Sequence, residues 1–319
     1  MSATPDWLSR LLEMITVTGQ LEIRCAYGAP WRIVEARSAA REIPYHVVLK
    51  GVAILEDPGD KTMRELGPGD ILMLPHGSAH VLHDGSGRAP LPASSRRTAN
   101  LTVSENGGGE PVLDMLCGRF FIAPPHDRLM RGYLPTTLVV QADRGDAGPA
   151  GQLAALVGMM RAEAMADTLG GRAMLNALSA ALFTLALRVA GEGRQAPRGL
   201  LALAGHPRLA PALSAIFNEP ARAWTLPELA ALCSMSRATF MRHFQDKLGR
   251  TAYDLLTDVR MSLASNELKR PTATAEAVAE AVGYQSVAAF RRGFAQWMGM
   301  TPGEWRRQAR TDQGSSTPG

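Results

Sequence analysis

Near the C-terminal end of this 319-residue chain six residues recur in a fixed frame. Ser236, Phe240, Arg242, Phe244, Gly249 and Thr251 pair with Ser286, Phe290, Arg292, Phe294, Gly299 and Thr301 at a constant offset of fifty residues. The chemistry lies with the arginines. Phe at i and i+4 marks one buried helix face, and Arg at i+2 is turned away from it. An outward guanidinium either solvates a helix face or bridges O6 and N7 of guanine, a contact that discriminates between bases by about 1–3 kcal/mol. Duplication within one frame favours the second use. Around Arg242 the candidate reading residues are Ser236, Arg237, Ala238, Thr239 and Met241, with Gln245 also outward; around Arg292 they are Ser286, Val287, Ala288 and Arg291. Small residues such as Ala238 and Val287 suit a thymine methyl.

A second constellation lies in the first third of the chain. Gly69 to His80 reads G-x5-P-x-G-x2-H, and His46 and His83 stand near it in sequence. A catalytic metal centre needs three or four convergent ligands and an open position. No His-x-His exists in the chain, so His46, His80 and His83 supply three ligands only if their strand registers converge. No catalytic residue, metal or cofactor is expected; His46 and His80 remain candidates for lining a ligand or signal pocket.

The elements around the repeat are helical. Thr225 with Glu228 three residues on makes a capping box, Pro227 is tolerated in the first turn, and a break at Cys233 to Met235 leads to Ser236. Ser236 then caps a helix that Gly249 stops. In the second copy Glu276, Val278 and Val282 form the first helix, Gly283 the turn, and Ser286 caps a helix ended by Gly299. Each copy is helix, turn, helix, the layout of a DNA reader whose second helix enters the major groove. Ala252 to Lys269 lacks Gly and Pro and predicts a connecting helix about 27 Å long, near the roughly 34 Å between successive groove faces.

Charge follows the same division. The chain carries a net +4, but residues 200–310 hold fourteen Lys and Arg against nine Asp and Glu, which leaves the remainder slightly negative. A basic part beside a near-neutral one implies a polyanion contact confined to the C-terminal third. Cys25, Cys117 and Cys233 are widely spaced and odd in number, so no disulfide framework is suggested and a reducing cytoplasm is expected. No secretory pattern opens the chain, no membrane partner is expected, and the apolar segment Ala173 to Leu187 reads as a buried helix.

From about Trp224 to Arg307 the sequence, including WTLPELAALCSMSRATFMRHFQDKLGRT and AVAEAVGYQSVAAFRRGFAQWMGMTPGEWRR, resembles the DNA-binding domain of the AraC/XylS family of bacterial transcriptional regulators. VGYQS followed by F-x3-F and G-x-TP-x-x-WR carries the likeness, with Trp305 where Tyr is more usual. The resemblance implies seven helices and base contacts from the helices starting at Arg237 and Val287. Ala238, Val287, Ala288 and Ala289 are small for that role, so specificity leans on Arg237, Arg242, Arg291 and Arg292 or on DNA shape.

From Ile23 to about Val140, short β-prone runs (Tyr45 to Leu49, Val52 to Leu55, Ile71 to Leu74, Val112 to Leu116) alternate with turns and read as a β barrel or jelly roll. The Gly69 to His80 motif resembles the second cupin motif, and the whole resembles cupin-type AraC regulators. That implies an α+β multidomain protein: a cupin-like regulatory domain over 1–140, a linker and helical packing or dimerisation segment over 141–199, a double helix-turn-helix over 200–310, and a disordered tail over 311–319. Leu175, Leu178, Leu182 and Leu185 form the stripe for packing or self-association. The implied partners are promoter DNA, a small-molecule effector, RNA polymerase if the protein activates, and a second copy. Redox-sensing members of the group imply that Cys25 and Cys117, on an early and a late strand, can meet and answer oxidants; the alternative reading, which the residues themselves favour, is two buried, inert cysteines. The competing reading is a metal-dependent cupin enzyme, an oxygenase or isomerase, fused to a DNA-binding domain.

Overall fold

The computed structural model describes residues 6–314 apart from 60, 144, 146 and 193–195. The chain opens with α1 (Trp7–Met14), β1 (Val17–Ala29), β2 (Arg32–Glu35), β3 (Glu42–Lys50), β4 (Ala53–Glu56), β5 (Met63–Leu66) and β6 (Asp70–Met73). It continues through β7 (His80–His83), β8 (Ala93–Arg97), β9 (Thr102–Asn106), β10 (Gly109–Ile122), α2 (Asp127–Tyr133) and β11 (Leu138–Gln141). Helices follow: α3 (Pro149–Met165), α4 (Gly171–Glu192), α5 (Leu200–Ala204), α6 (Ala210–Asn218), α7 (Leu226–Leu232) and α8 (Arg237–Leu248). The last are α9 (Ala252–Glu267), α10 (Ala275–Ala281), α11 (Val287–Met298) and α12 (Pro302–Gly314). Backbone packing gives two compact units: Val17–Pro197, and Arg198 onward together with the chain up to Thr16.

The first unit is built on two sheets, ordered β11-β6-β3-β10-β1-β9-β8 and β2-β7-β4-β5. This is the cupin-like β architecture expected from the turn-punctuated strands. β3 is buried from Ile43 to Val48, because one of its faces is covered by helix and the other by the interior. A strand covered on both faces reads as a nearly continuous apolar run rather than an alternation. On the helical side, α4 lies against β1, β3 and β10. Tyr45 Oη and Ser179 Oγ are 2.7 Å apart, Phe120 and Phe183 meet edge to face at 5.1 Å, and a Cβ on Gly19 would fall 2.5 Å from Ser179 Cβ. Only glycine at position 19 lets the helix come this near. The interior is filled by Trp31, Val48, Leu55, Leu72, Leu82 and Met115 with their neighbours.

Several sequence expectations shift. Helix α4 is longer than Ala173 to Leu187 and is not wholly buried. Leu175 and Leu182 face the protein, Leu178 and Leu185 are half-buried, and Ala173, Met174, Ala177 and Ala181 are exposed. The stripe therefore occupies one side of the helix, with Leu175 and Leu182 inward and Leu178 and Leu185 at its margin. By length and composition α4 would cross a bilayer, but Ser179 and Phe183 dock it on the sheet. α3 and α4 pack within the β unit. α12 continues to Gly314, past the expected end at 310, and residues 315–319 and 193–195 lie outside the described residues.

The second unit is helical, with eight helices from Leu200 onward among the described residues, one more than the resemblance implied. It also takes in α1, whose place in the sequence predicts that it belongs with the β domain. The reason is the apolar face of α1: Leu8, Leu11 and Met14 are buried, and the Trp7 and Phe217 rings lie 6.2 Å apart. Arg10 Nε donates to Asn218 Oδ1 at 3.3 Å, and Asn266 Nδ2 donates to the Met14 carbonyl at 2.7 Å.

Candidate nucleic-acid interface and sensor site

Both readers form as their caps dictate. In the first, Thr225 and Glu228 close a capping box on α7, Ser236 Oγ accepts from Thr239 N on α8, and Gly249 ends α8 in the left-handed region at φ 83°. In the second, Thr274 caps α10, Ser286 caps α11, Gly283 makes the turn at φ 81° and Gly299 ends α11 at φ 81°. The repeated phenylalanines are all inward: Phe240, Phe244, Phe290 and Phe294 are fully buried or nearly so. Connecting helix α9 has sixteen residues, two fewer than expected, and is about 24 Å long.

The outward positions are unequal. On α8, Arg237, Ala238, Met241, Arg242 and Gln245 are exposed, while Thr239 is half-buried with its hydroxyl 2.9 Å from Ser236 Oγ. On α11, Ala288, Arg291 and Arg292 are exposed. Val287 departs from expectation: it is half-buried against the core formed by Met261, Val278, Phe290 and Phe294. A β-branched apolar residue in the first turn, next to Tyr284, is drawn inward rather than left to solvent. Arg291 also departs from a free reading group, since its Nη2 donates to Glu276 Oε1 at 3.0 Å, both side chains being well exposed. Glu276 is a helix former by sequence; its place on α10 facing α11 is what gives it this partner. An exposed pair of this kind holds by at most about 1 kcal/mol, so it orients Arg291 without locking it.

In the other unit, strand register brings four candidate residues into one file. Cys117 on β10 lies opposite His46 on β3 and opposite Ile23 on β1, so Cys25, two residues along β1, is its diagonal neighbour. The sulfurs of Cys25 and Cys117 are 3.9 Å apart, and His46 Nδ1 is 3.1 Å from Cys117 Sγ. His46 Nε2 reaches across to the second sheet and meets His80 Nε2 at 2.8 Å, while His80 Nδ1 is 3.0 Å from the Ser78 carbonyl. His83 does not join them: its Nδ1 accepts from Gly85 N–H and its Nε2 faces Glu56 at 3.8 Å. Among the described residues no three His, Cys, Asp or Glu side chains converge as metal ligands.

The protons in this file are determined by chemistry. Burial lowers the pKa of both histidines, and His80 adds to the effect on His46, so each ring is neutral with one N–H. The Ser78 carbonyl can only accept, so the His80 proton is on Nδ1 and its Nε2 is a bare acceptor. His46 therefore donates from Nε2, and its bare Nδ1 accepts the Cys117 thiol proton. Cys25 completes the line by donating to Cys117. If that line shifts by one step, the proton of Cys117 passes to His46 and that of Cys25 to Cys117, leaving a Cys25 thiolate that accepts from the Cys117 S–H. The hydrogen bond from Cys117 lowers the Cys25 pKa against the opposing effect of burial, and the same bond, with burial, pushes Cys117 up. Glu35, opposite His80 in the β2–β7 ladder, raises all three neighbouring pKa values and was not singled out from sequence.

One consequence is measurable without any signal. Because both folded-state histidine pKa values lie below the ordinary 6.5, the unfolded chain takes up protons below that pH that the folded chain refuses. Stability of this unit is thus complete above pH 6.5 and falls below it, by up to about 1.4 kcal/mol per pH unit for each histidine. Thermal melts at pH 5.5 are expected well below those at pH 7.5, and His46→Gln narrows the difference; equal melting at the two pH values would contradict the assignment.

Comparison with known proteins fits this geometry. Residues 6–191 match the family model described as Cupin, and residues 229–308 match the model described as Helix-turn-helix domain. The chain belongs to the AraC/XylS-type transcriptional regulators with an N-terminal cupin domain. This regulator is 30% identical, over 95% of its length and 98% of the relative's, to an HTH-type transcriptional regulator of Haemophilus influenzae. It is 28% identical over 96% of its length and 98% of the relative's to the RCS-specific HTH-type transcriptional activator RclR of Escherichia coli. It is also 29% identical over 95% and 98% to the HTH-type transcriptional regulator MtrA of Neisseria gonorrhoeae. The regulator is thus a DNA-binding protein whose N-terminal cupin domain is of a kind that fits small-molecule control.

Proposed function

We propose that the signal is a two-electron oxidant and that Cys25 and Cys117 receive it. The observation that carries this reading is the 3.9 Å separation of the two sulfurs at the end of a directed proton line through His46 and His80. The Cys25 thiolate attacks a hypohalous acid or peroxide, taking its electrophilic chlorine or hydroxyl while hydroxide leaves. That hydroxide takes up the proton His46 gained when the thiolate formed and leaves as water; Cys117 sulfur then displaces chloride or hydroxide from Cys25, its own proton goes to the His46 Nδ1 so vacated, and a disulfide forms. Two thiols lose two electrons and the oxidant gains them. A disulfide needs sulfurs about 2.05 Å apart, so the two sulfurs must approach by nearly 2 Å, through side-chain rotation, since β1 and β10 already pair at ladder spacing. The relative named as RCS-specific supports this choice over a small-molecule effector. Peptide mapping without reductant, after titration with hypochlorite, tests it: a Cys25–Cys117 cross-link is expected, and two separately oxidised cysteines would reject it.

In the DNA-binding unit, base contacts are assigned to Arg237, Arg242 and Arg292, with Arg291 available once it leaves Glu276, and with Ala238, Met241 and Ala288 lining the groove. Ser236 and Ser286, as helix caps, and Thr239 set the helix entry. Arg242→Ala is expected to weaken operator binding by about 1–3 kcal/mol and relax base preference; unchanged affinity across operator variants in a binding titration would remove Arg242 from the readout. The two readers share a core frame but differ at Arg237, which is exposed where Val287 turns inward, and at Met241 against Arg291, both outward, so they favour different half-sites. The regulator acts without catalysis in the cytoplasm, with RNA polymerase as partner if it activates. Exposed Met159, Met165 and Met174 on α3 and α4 support pairing with a second copy.

A further inference from the structure

The two copies of the repeat fail to match at two positions near the ends of their reading helices. The fifty-residue offset sets Lys247 against Trp297 and Arg250 against Met300. The two residues without a counterpart, Arg250 and Trp297, meet on one carboxylate. Asp258, buried on α9, accepts from Arg250 Nη1 through Oδ2 at 2.8 Å and from Trp297 Nε1 through Oδ1 at 2.8 Å. Arg250 directly follows the left-handed cap of the first reader helix, and Trp297 sits in the last turn of the second. Two residues further along α9, Arg260 donates to the Pro220 carbonyl at 2.7 Å and the Arg222 carbonyl at 2.8 Å, with its guanidinium 5.9 Å from the Tyr284 ring. Positions two apart on a helix project about 200° from each other. The connecting helix is therefore pinned to both readers on both of its sides.

We propose that Asp258 is a positioning residue that fixes the second reader's orientation relative to the first and so sets the half-site spacing this regulator accepts. Each reader has an apolar core of its own, Leu229, Phe240 and Phe244 in one and Val278, Phe290 and Phe294 in the other, that does not need the carboxylate to form. What Asp258 supplies is the relation between them. From Trp297 to the cap at Ser286 is eleven residues, about 16 Å of helix, so a 10° pivot at Trp297 swings the reading end by about 3 Å, close to the rise of one base pair. A buried carboxylate held by a guanidinium and an indole N–H resists such a pivot, because loss of either partner leaves a desolvated charge underpaired.

The test uses the reduced full-length protein and an operator recovered by binding selection from random duplex DNA. Versions with the half-sites moved one base pair closer or further apart are titrated against wild type, Asp258→Ala and Trp297→Phe. Wild type is expected to lose about tenfold or more at each wrong spacing, comparable to a mismatch. Asp258→Ala should bind the native spacing about tenfold more weakly, with the three spacings then within about threefold of one another. Trp297→Phe keeps the ring but not the N–H and is expected to flatten the preference in the same direction; it carries the test if Asp258→Ala does not fold. Equal loss at all three spacings, or an unchanged spacing preference, would overturn the assignment.

Discussion

Phe290→Ala is expected to lower the unfolding free energy of the DNA-binding unit by about 3–5 kcal/mol, the range for truncating a fully buried Phe. Phe290 has no exposed surface, and its ring lies 5.7 Å from Tyr284 and 5.7 Å from Phe294 in a cluster that also takes in Met261, Val278 and Trp305. Such a cluster cannot close over a missing ring without moving α9, α10 or α12, so the cavity persists and adds to the lost transfer energy. Against a typical domain stability of 5–15 kcal/mol this is a third or more of the total. The nearby Arg292→Ala, on the opposite face, is expected to change stability by less than about 0.5 kcal/mol. Urea unfolding of the two variants checks the contrast. A cost under about 1 kcal/mol for Phe290→Ala would mean that the repeated Phe does not anchor the reader.

Cys117→Ser is expected to abolish the oxidant response outright, with reduced DNA affinity kept. Serine preserves the size and the hydrogen-bond donor toward His46 but cannot resolve an oxidised Cys25, so oxidation stalls at sulfenic acid or proceeds beyond it. His46→Gln is expected to act differently: the disulfide still forms, but more slowly by on the order of 10²-fold, the usual contribution of a placed general base. Stopped-flow oxidation of the full-length protein separates the two. If Cys117→Ser still switches DNA affinity with oxidant, the pair is not the sensor; if His46→Gln oxidises at the wild-type rate, the imidazole takes no proton from Cys117.

What could be read from sequence depended on the range of the interaction. Caps are local, and Thr225, Glu228, Ser236, Gly249, Ser286 and Gly299 all sit where their spacing placed them. The buried phenylalanines follow from helical period alone. The sensor file is different in kind. Cys117 and His46 are neighbours only through the β3–β10 register, and His46 meets His80 only because β7 belongs to the facing sheet. A one-residue slip in either strand would turn these side chains to the opposite face. The pairing of Arg291 with Glu276 and the inward turn of Val287 depend on the packing of α10 against α11, which periodicity within one helix does not report. Likewise the apolar face of α1 is visible in Leu8, Leu11 and Met14, but its partners Phe217 and Asn266 lie more than two hundred residues away.

Oxidation of Cys25 and Cys117 couples one covalent event to one binding event, so both should be followed in the same titration. Full-length protein is treated with increasing hypochlorite, and each sample is divided between mass analysis for the Cys25–Cys117 disulfide and an affinity measurement on the selected operator. Operator affinity is expected to change in proportion to the fraction of disulfide and to return on reduction. A change in affinity while both thiols remain free, or full disulfide with unchanged affinity, would contradict it.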